Sequence, residues 1–252
     1  GWTTDPAETA KAAKTKAIAK LISETETNSV VPTAEGADAI ARNALLPVSA
    51  LPVEAARPFL MPTISLVQAT NAQRCLTQAI YYEAATESDA GKAAVAQVIL
   101  NRMKHPAYPN TVCGVIYQGS ARPGCQFSFA CDGSMRRPPM PALWRRSAEI
   151  ARAALSGHVE VSVGMATHYH ANYVLPRWAP KLTKIEQIGA HIFYRWPGSW
   201  GKPKAFSDAY TGAEFIPAFS QLYQGGVATA EALPGEAIAV EGVASPRDPT
   251  DR

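Results

Sequence analysis

The sequence lacks any run of about 18 or more apolar residues, so we expect no membrane span within this chain. It also lacks a strong net charge, because 24 Lys and Arg stand against 21 Asp and Glu, which gives +3. So small an excess predicts no nucleic-acid partner. It suits an anionic surface, although an ordinary soluble basic protein is the more common explanation of such an excess. A hydrophobic content of 47% is enough for a core of ordinary size.

Cysteine is scarce, with four residues at Cys75, Cys113, Cys125 and Cys131. No Cys-x-x-Cys pair is present, which disfavours a structural zinc site. An even number of cysteines indicates two disulfides and an oxidising compartment, while reduced, buried thiols are the alternative. Four cysteines allow three pairings. We expect Cys125 to pair with Cys131, since only five residues separate them, and Cys75 with Cys113 to follow by elimination.

The composition divides the chain into three blocks. Residues 1–68 are an Ala/Pro-rich N-terminal segment, in which 6–24 favours a short helix and 25–62 indicates a linker. Residues 69–206 hold all four cysteines and all five histidines, and they are the one folded domain that we expect. Residues 207–252 are expected to be a C-terminal extension that is largely disordered.

Helical periodicity is strongest in the first half of the folded block. It predicts one helix up to about Thr86 and a second over about 90–104, with Ser88 or Asp89 offering N-cap chemistry between them. A third helix is predicted over about 142–156, where Gly157 provides a natural end.

The period changes after the third helix. Alternating valines predict a strand or an extended edge over 159–163. Two short runs rich in His, Tyr and Phe, 166–171 and 191–196, predict a pair of strands around a turn-rich excursion. Helices followed by short strands predict an α+β fold that is mainly helical with a short β-sheet.

Glu83 is the first candidate for chemistry. It lies in the run AIYYEAATES, among bulky neighbours at the end of an apolar helix. Burial there would raise its pKa and keep a proton available near neutral pH, as cleavage of a glycosidic bond requires. A surface Glu or a structural ion pair is the alternative. Glu87, one helical turn further on, is the candidate second carboxylate, although a solvated or capping role suits it better.

A polar loop and a polar strand are the next candidates. If Cys125 and Cys131 pair, they fix the polar groups of Gln126 and Ser128 between them for hydrogen bonding to sugar, or they make a tight structural loop. In the run THYHANY, His168 and His170 would point to the same side of a strand.

These two histidines suggest a zinc site, with His158 or His191 as a third ligand. No H-E-x-x-H pattern supports a zinc site. Histidines of this kind more often line a polar cleft or form hydrogen bonds in a core. We therefore expect no metal and no cofactor.

A family resemblance rests on five stretches in order between about residues 73 and 200: CLTQAIYYEAATESDAGKAAVAQVILNR, YPNTVCGVIYQ, CQFSFACDG, ATHYHANYVLPRW and IGAHIFYRW. This sequence resembles the SleB-type cell-wall hydrolases, the spore-cortex-lytic enzyme family, and its cysteines resemble those of the Gram-negative members. The resemblance implies a small domain related to lysozyme-like lytic transglycosylases.

The resemblance also implies an active-site residue. The family's catalytic glutamate is the first Glu of an E-A-R-G-E motif, which is Glu83-Ala84-Ala85-Thr86-Glu87 here. Ala85 and Thr86 replace Arg and Gly, so the motif departs from the family at the end of the helix but retains the acid. Glu83 is therefore the expected catalytic residue.

The expected function is cleavage of the peptidoglycan glycan strand between N-acetylmuramic acid and N-acetylglucosamine, by a lytic transglycosylase that leaves a 1,6-anhydro end. A hydrolytic muramidase or glucosaminidase, a zinc-dependent amidase and a non-catalytic wall-binding module are the alternatives. Five residues are expected to contact substrate: Gln126, Ser128, Tyr169, His170 and Trp178.

The expected setting follows from the same features. We expect a monomeric periplasmic or secreted protein whose partner is peptidoglycan. The chain opens at Gly1 and not at Met, and an anchor in a missing N-terminal segment is compatible with that.

Overall fold

The structure, a computed structural model, describes residues 6–25, 32–122, 125–218 and 222. The helices of these residues are α1 (Pro6–Thr25), α2 (Gly36–Leu45), α3 (Leu66–Ala84), α4 (Asp89–Lys104), α5 (Val112–Ile116) and α6 (Pro141–Leu155). The strands are β1 (Ala34–Glu35), β2 (His168–Ala171), β3 (Val174–Leu175), β4 (Thr183–Ile188) and β5 (His191–Arg195). Short 3-10 helices cover Ser128–Ala130, Ser134–Arg136, Val161–Val163, Ala179–Lys181, Gly198–Gly201 and Pro203–Ala205. Among the described residues, no helix is long and apolar enough to cross a membrane.

Helices α3 and α4 begin where serine side chains accept hydrogen bonds from free backbone N–H groups. Ser65 accepts from the Gln68 N–H, and Ser88 accepts from the Gly91 N–H at 3.2 Å, so each satisfies one donor of a first turn. The predicted second helix and its Ser88 cap are confirmed. Helix α3 begins at Leu66, within the segment that composition assigns to the N-terminal block.

The main core forms where α3 packs against α4, α5 and α6. Helix α4 is buried over nearly its whole length, which requires neighbours on all sides. A core of this kind fixes both ends of α3 and therefore the position of side chains in its last turn.

A small antiparallel sheet in the order β2-β5-β4 covers another side of α4. His168 pairs with Tyr194 and Ala171 with His191, so the predicted pairing of these two strands is confirmed. The Asn101 amide on α4 donates to backbone oxygens just before β2, at 2.8 and 2.9 Å. The whole is an α+β fold, mainly helical, as predicted.

The prediction that 25–62 is a linker is wrong for part of that range. Strand β1 pairs with β3, and α2 follows it directly. The buried Asn43 amide of α2 donates to the Asn172 and Val174 carbonyls at 2.8 and 2.9 Å. Polar contacts to distant backbone carbonyls hold this segment, and composition does not register them.

The prediction of a strand over 159–163 is also wrong. Val161–Val163 form a 3-10 turn, in which the Glu160 side chain accepts from the Ser162 N–H. Gly164 ends the turn with φ +47°, a conformation that glycine adopts readily. The alternating valines therefore do not mark a strand, and of the two in the turn Val163 is buried and Val161 is exposed.

The C-terminal block is described over 207–218 and at residue 222, and the rest of the predicted disordered extension lies outside the described residues. Residues 207–218 contain no helix or strand. They are nevertheless attached to the core, because buried Glu214 accepts from the N–H groups of Val112 and Cys113 at 2.9 and 2.7 Å. The division at 69 and 206 stays a prediction.

Candidate active site

Glu83 lies in the last turn of α3, where the side chain is partly exposed beside strand β2. The Tyr169 hydroxyl donates a hydrogen bond to Glu83 Oε2 at 2.9 Å. Tyr169 reaches this position because successive residues of β2 point to opposite faces of the sheet. Its ring packs against His191 and Phe193 of β5, at 5.1 and 5.7 Å between centroids.

The surroundings of Glu83 raise its pKa from 4.5 to about 7. Burial is the main cause, since it disfavours the charged form. The hydrogen bond from Tyr169 lowers the pKa, the negative charge of Asp132 raises it, and the positive charge of Arg102 lowers it. At neutral pH both the protonated and the ionised form of this carboxyl group are therefore populated. This suits a group that first gives a proton and then takes one.

Arg102 is a buried cation near this carboxyl group. Its Nε donates to the Thr167 carbonyl at 2.6 Å, just before β2. Its guanidinium lies over the Tyr108 and Phe127 rings, at 4.8 and 5.8 Å from their centroids. These contacts fix the positive charge in place, where it can stabilise the ionised form of Glu83.

The loop that contains Gln126 and Ser128 meets the end of α3 through an aromatic contact. Phe129 stacks on Tyr82 with 4.9 Å between centroids and 16° between ring planes. Gln126 is half-buried, and its N–H donates to the Gln118 carbonyl, while Ser128 is exposed. The loop therefore borders the Glu83 site.

Both predicted disulfides are present in the structure. Cys125–Cys131 closes the loop, with Cα atoms 6.2 Å apart, and Cys75–Cys113 joins α3 to α5 at 5.3 Å. The first bridge holds the segment that carries Phe129. The second holds the helix that carries Glu83.

Glu87 contacts the turn between β4 and β5. Its Oε1 accepts from the Ala190 N–H at 3.3 Å. A Cβ added at Gly189, which has φ +56°, would lie 1.8 Å from Glu87 Oε2, so this turn requires glycine. These contacts suit a structural role for Glu87.

His170 and Trp178 lie on the other face of the sheet from Tyr169. His170 Nε2 is 2.9 Å from the Tyr194 hydroxyl, its Nδ1 is 2.9 Å from the Ala171 carbonyl, and Trp178 packs edge-on against its ring. The structure does not bring these two predicted contact residues to Glu83, because residues 169 and 170 of a strand point to opposite faces. We assign them to packing.

His168 and His170, the two histidines that suggest a zinc site, also contribute to packing on this face of the sheet. His168 packs against Trp178 and Trp196 at 5.3 and 4.8 Å, and both ring nitrogens of His170 already have partners. No group of three or more His, Cys, Asp or Glu in the described part of the chain is placed to hold a metal ion.

Comparison with known proteins shows that part of this chain matches a known family. Residues 86–194 match the model of the Cell Wall Hydrolase family. This segment, less than half of the chain, is similar to the members of that family. The match begins three residues after Glu83, so the role of that residue depends on the geometry described above.

The curated proteins that are similar to this chain include the spore cortex-lytic enzymes of Halalkalibacterium halodurans and Bacillus subtilis. The first is 33% identical over 118 residues, 47% of this chain and 33% of that protein. The second is 32% identical over 120 residues, 48% of this chain and 36% of that protein. The chain thus spans about a third of the length of each of these curated relatives.

Two solved catalytic domains are also similar to this chain. The catalytic domain of the Bacillus cereus SleB protein is 29% identical, with a TM-score of 0.42 over 54% of this chain and 95% of that one. The catalytic domain of the Bacillus anthracis germination-specific lytic transglycosylase SleB is 28% identical, with a TM-score of 0.43 over 52% of this chain and all of that one.

Several residues around the candidate site were not predicted from the sequence. The charge of Asp132 adds to the rise in the pKa of Glu83 that burial causes, and the charge of Arg102 opposes it. Tyr82 and Phe129 form the adjoining stacked wall. Arg102 could have been found, because a basic residue inside an otherwise apolar helix needs a partner. Asp132 carried no such signal, since an acidic residue in a turn is ordinary.

Proposed function

We propose that this chain cleaves the glycan strand of peptidoglycan between N-acetylmuramic acid and N-acetylglucosamine, as a lytic transglycosylase with Glu83 as its single catalytic acid and base. The observation that carries the proposal is a partly exposed carboxyl group with a pKa of about 7, hydrogen-bonded by Tyr169. Relatives named spore cortex-lytic enzymes support the choice of substrate.

The reaction follows from the two forms of this one group. Protonated Glu83 gives its proton to the glycosidic oxygen as the C1–O bond breaks, and N-acetylglucosamine leaves with a free hydroxyl. The ionised carboxylate then takes the proton of the muramic acid 6-hydroxyl. The 6-oxygen bonds to C1, which closes the 1,6-anhydro ring and leaves Glu83 protonated as at the start.

The neighbours of Glu83 suit this exchange. Tyr169 and Arg102 favour the carboxylate that forms when the proton leaves, while burial favours the acid that must be present beforehand. Tyr169 thus stabilises the ionised form of the reacting carboxyl group. It also stays a proposed substrate contact. Gln126 and Ser128 stay proposed substrate contacts through the loop that borders the site.

Hydrolysis of the same bond is the second candidate, and one observation favours it. Asp132 lies near enough for its charge to raise the pKa of Glu83. It is exposed and follows the Cys125–Cys131 bridge. A second carboxylate could activate water, and the product would then have a reducing end in place of an anhydro ring.

The experiment is digestion of purified sacculi, followed by mass spectrometry of the released fragments. Glu83→Gln preserves the shape of the side chain but removes the titrating proton, so digestion should be lost while the fold is retained. Glu87→Gln, one turn along, is the matched control and should digest. A dead Glu87 variant beside an active Glu83 variant would overturn the assignment.

The cellular setting is also a proposal. Two disulfides suit an oxidising compartment, and a peptidoglycan substrate lies outside the cytoplasm. We propose a periplasmic or secreted protein that acts as a monomer.

A further inference from the structure

Tyr169, the hydrogen-bond partner of Glu83, is supported by two rings of the neighbouring strand. Strands β2 and β5 pair antiparallel, with Tyr169 opposite Phe193 and Ala171 opposite His191. Residues directly opposite each other in such a pair share a face of the sheet, and so do residues two apart along one strand. His191 and Phe193 therefore lie on the same face as Tyr169.

The three side chains form a set of rings in mutual contact. The His191 ring meets the Tyr169 ring nearly edge-on, at 71° with 5.1 Å between centroids. The Phe193 ring lies 5.7 Å from Tyr169 at 39°, and 6.2 Å from His191 at 74°. Rings packed in this way leave little room for any one of them to turn.

His191 supports its neighbours by its shape and not by a charge. It is 8% exposed, and within the described part of the chain its Nδ1 has no hydrogen-bond partner. Burial lowers the pKa of His191 below 6.5, although the negative charge of Glu87 opposes this. The ring is therefore mostly neutral at pH 7 and above, so it contributes no positive charge to its surroundings there.

The hydrogen bond to Glu83 is sensitive to the position of the Tyr169 ring. The hydroxyl is at the far end of that ring and donates to Glu83 Oε2 at 2.9 Å. Such a bond weakens steeply once its length or its angle departs from the usual range. A tyrosine with free space beside its ring can adopt another staggered rotamer, which would take the hydroxyl away from Glu83. A ring that fills this space therefore preserves the bond.

We propose that His191 is a positioning residue of the active site, whose ring holds the Tyr169 hydroxyl in place on Glu83. The inference rests on the proposed function, because it concerns the group that gives and takes the proton. It gives this histidine a part in the reaction that requires no contact with substrate.

His191→Ala tests the role directly, because it opens space beside the Tyr169 ring. Since the hydrogen bond from Tyr169 lowers the pKa of Glu83, losing it should raise that pKa, by up to about one unit for a hydrogen bond of ordinary strength. The other charges that act on Glu83 are those of Asp132 and Arg102, and the substitution leaves both in place. Carbon NMR titration of labelled side-chain carboxyl groups measures the pKa without turnover, and Glu83→Gln assigns the signal.

A rescue variant and a matched control separate positioning from a general loss of packing. His191→Phe restores a neutral planar ring and should retain the wild-type pKa of Glu83. His170→Ala removes another histidine that is 8% exposed, on the opposite face of the same sheet. Both alanine variants should lower the free energy of unfolding, but only His191→Ala should raise the pKa of Glu83.

A double variant shows whether the effect passes through Tyr169. In Tyr169→Phe the hydroxyl is already absent, so adding His191→Ala should raise the pKa of Glu83 no further. The pH–rate profile of sacculus digestion should agree: its fall should move to higher pH in His191→Ala, and in the double variant it should match that of Tyr169→Phe alone.

Two results would overturn the proposal. One is an unchanged pKa of Glu83 in folded His191→Ala, and the other is an equal rise in the presence and absence of the Tyr169 hydroxyl. If His191→Ala does not fold, His191→Leu provides the comparison, because leucine fills only part of the space. It should raise the pKa in the same direction, and an unchanged value would again overturn the role.

Failure of this role is distinct from failure of the proposed function. The NMR titration reports the pKa of Glu83 whether or not the protein cleaves peptidoglycan. If Glu83→Gln abolishes digestion while the pKa of Glu83 is insensitive to His191, the catalytic assignment stands and the positioning role falls. If Glu83→Gln digests sacculi normally, the proposed function itself fails.

Discussion

Replacing Glu83 by Gln should stabilise the protein in a way that depends on pH. The folded protein raises the pKa of this carboxyl group from 4.5 to about 7, so the folded state binds its proton more tightly than the unfolded state does. Wild-type stability is therefore fully present below about 4.5 and falls as pH rises to about 7. Gln has no proton to lose, and its stability should not show this fall.

The size of the effect follows from the pKa rise. At about 1.36 kcal/mol for each pKa unit, the change from 4.5 to about 7 corresponds to about 3 kcal/mol. This value is an upper bound, because Glu83 is partly exposed and solvent screens its charge. Gln also retains an oxygen that can accept from Tyr169, so little else should change.

Urea denaturation of both proteins at pH 4 and pH 8.5 measures the difference. The free energy of unfolding of Glu83→Gln, relative to wild type, should be greater at pH 8.5 by up to about 3 kcal/mol. A relative stability that is the same at both values, or lower at pH 8.5, would refute the burial of the Glu83 carboxyl group as the cause of its raised pKa.

The remaining predictions concern activity and the cysteines. Activity should fall as pH rises through about 7, since the acid form of Glu83 is required. Tyr169→Phe should move this fall to higher pH in a pH–rate profile, because the substitution removes a hydrogen bond that lowers the pKa of Glu83. Glu87→Gln should retain most activity in a sacculus digestion assay. Digestion should survive EDTA, because the proposed chemistry uses only a carboxylic acid, and a loss reversed by zinc would contradict this. Cys75→Ala with Cys113→Ala should lower the free energy of unfolding by about 4 kcal/mol in the chain-entropy treatment, since the bridge closes a separation of 38 residues, and denaturant unfolding checks it.

The parts of the fold that the sequence predicted are those set by local signals. Helix α4 follows from a serine cap and an apolar pattern, and the β2–β5 pairing follows from two short runs rich in aromatic residues. The segment from 34 to 45 could not be predicted, because Asn43 is held by carbonyls about 130 residues away. Composition describes a segment's own residues and not its distant partners.

The residues of the candidate site divide in the same way, into those indicated by local sequence and those set by distant contacts. The raised pKa of Glu83 was predictable because bulky apolar neighbours in its own helix indicate burial, whereas its catalytic role came from the family resemblance and stays a proposal. His170 was misplaced because the sequence gives the alternation of a strand without saying which face meets the acid. Asp132 and Glu214 act through long-range contacts, which single-sequence reasoning does not reach.

The central claim is tested most directly by mass spectrometry of the fragments that wild-type protein and Glu83→Gln release from purified sacculi. We predict fragments with 1,6-anhydromuramic ends from the wild type and none from the variant. Fragments with reducing ends, free stem peptides with intact glycan, or equal digestion by Glu83→Gln would contradict the claim.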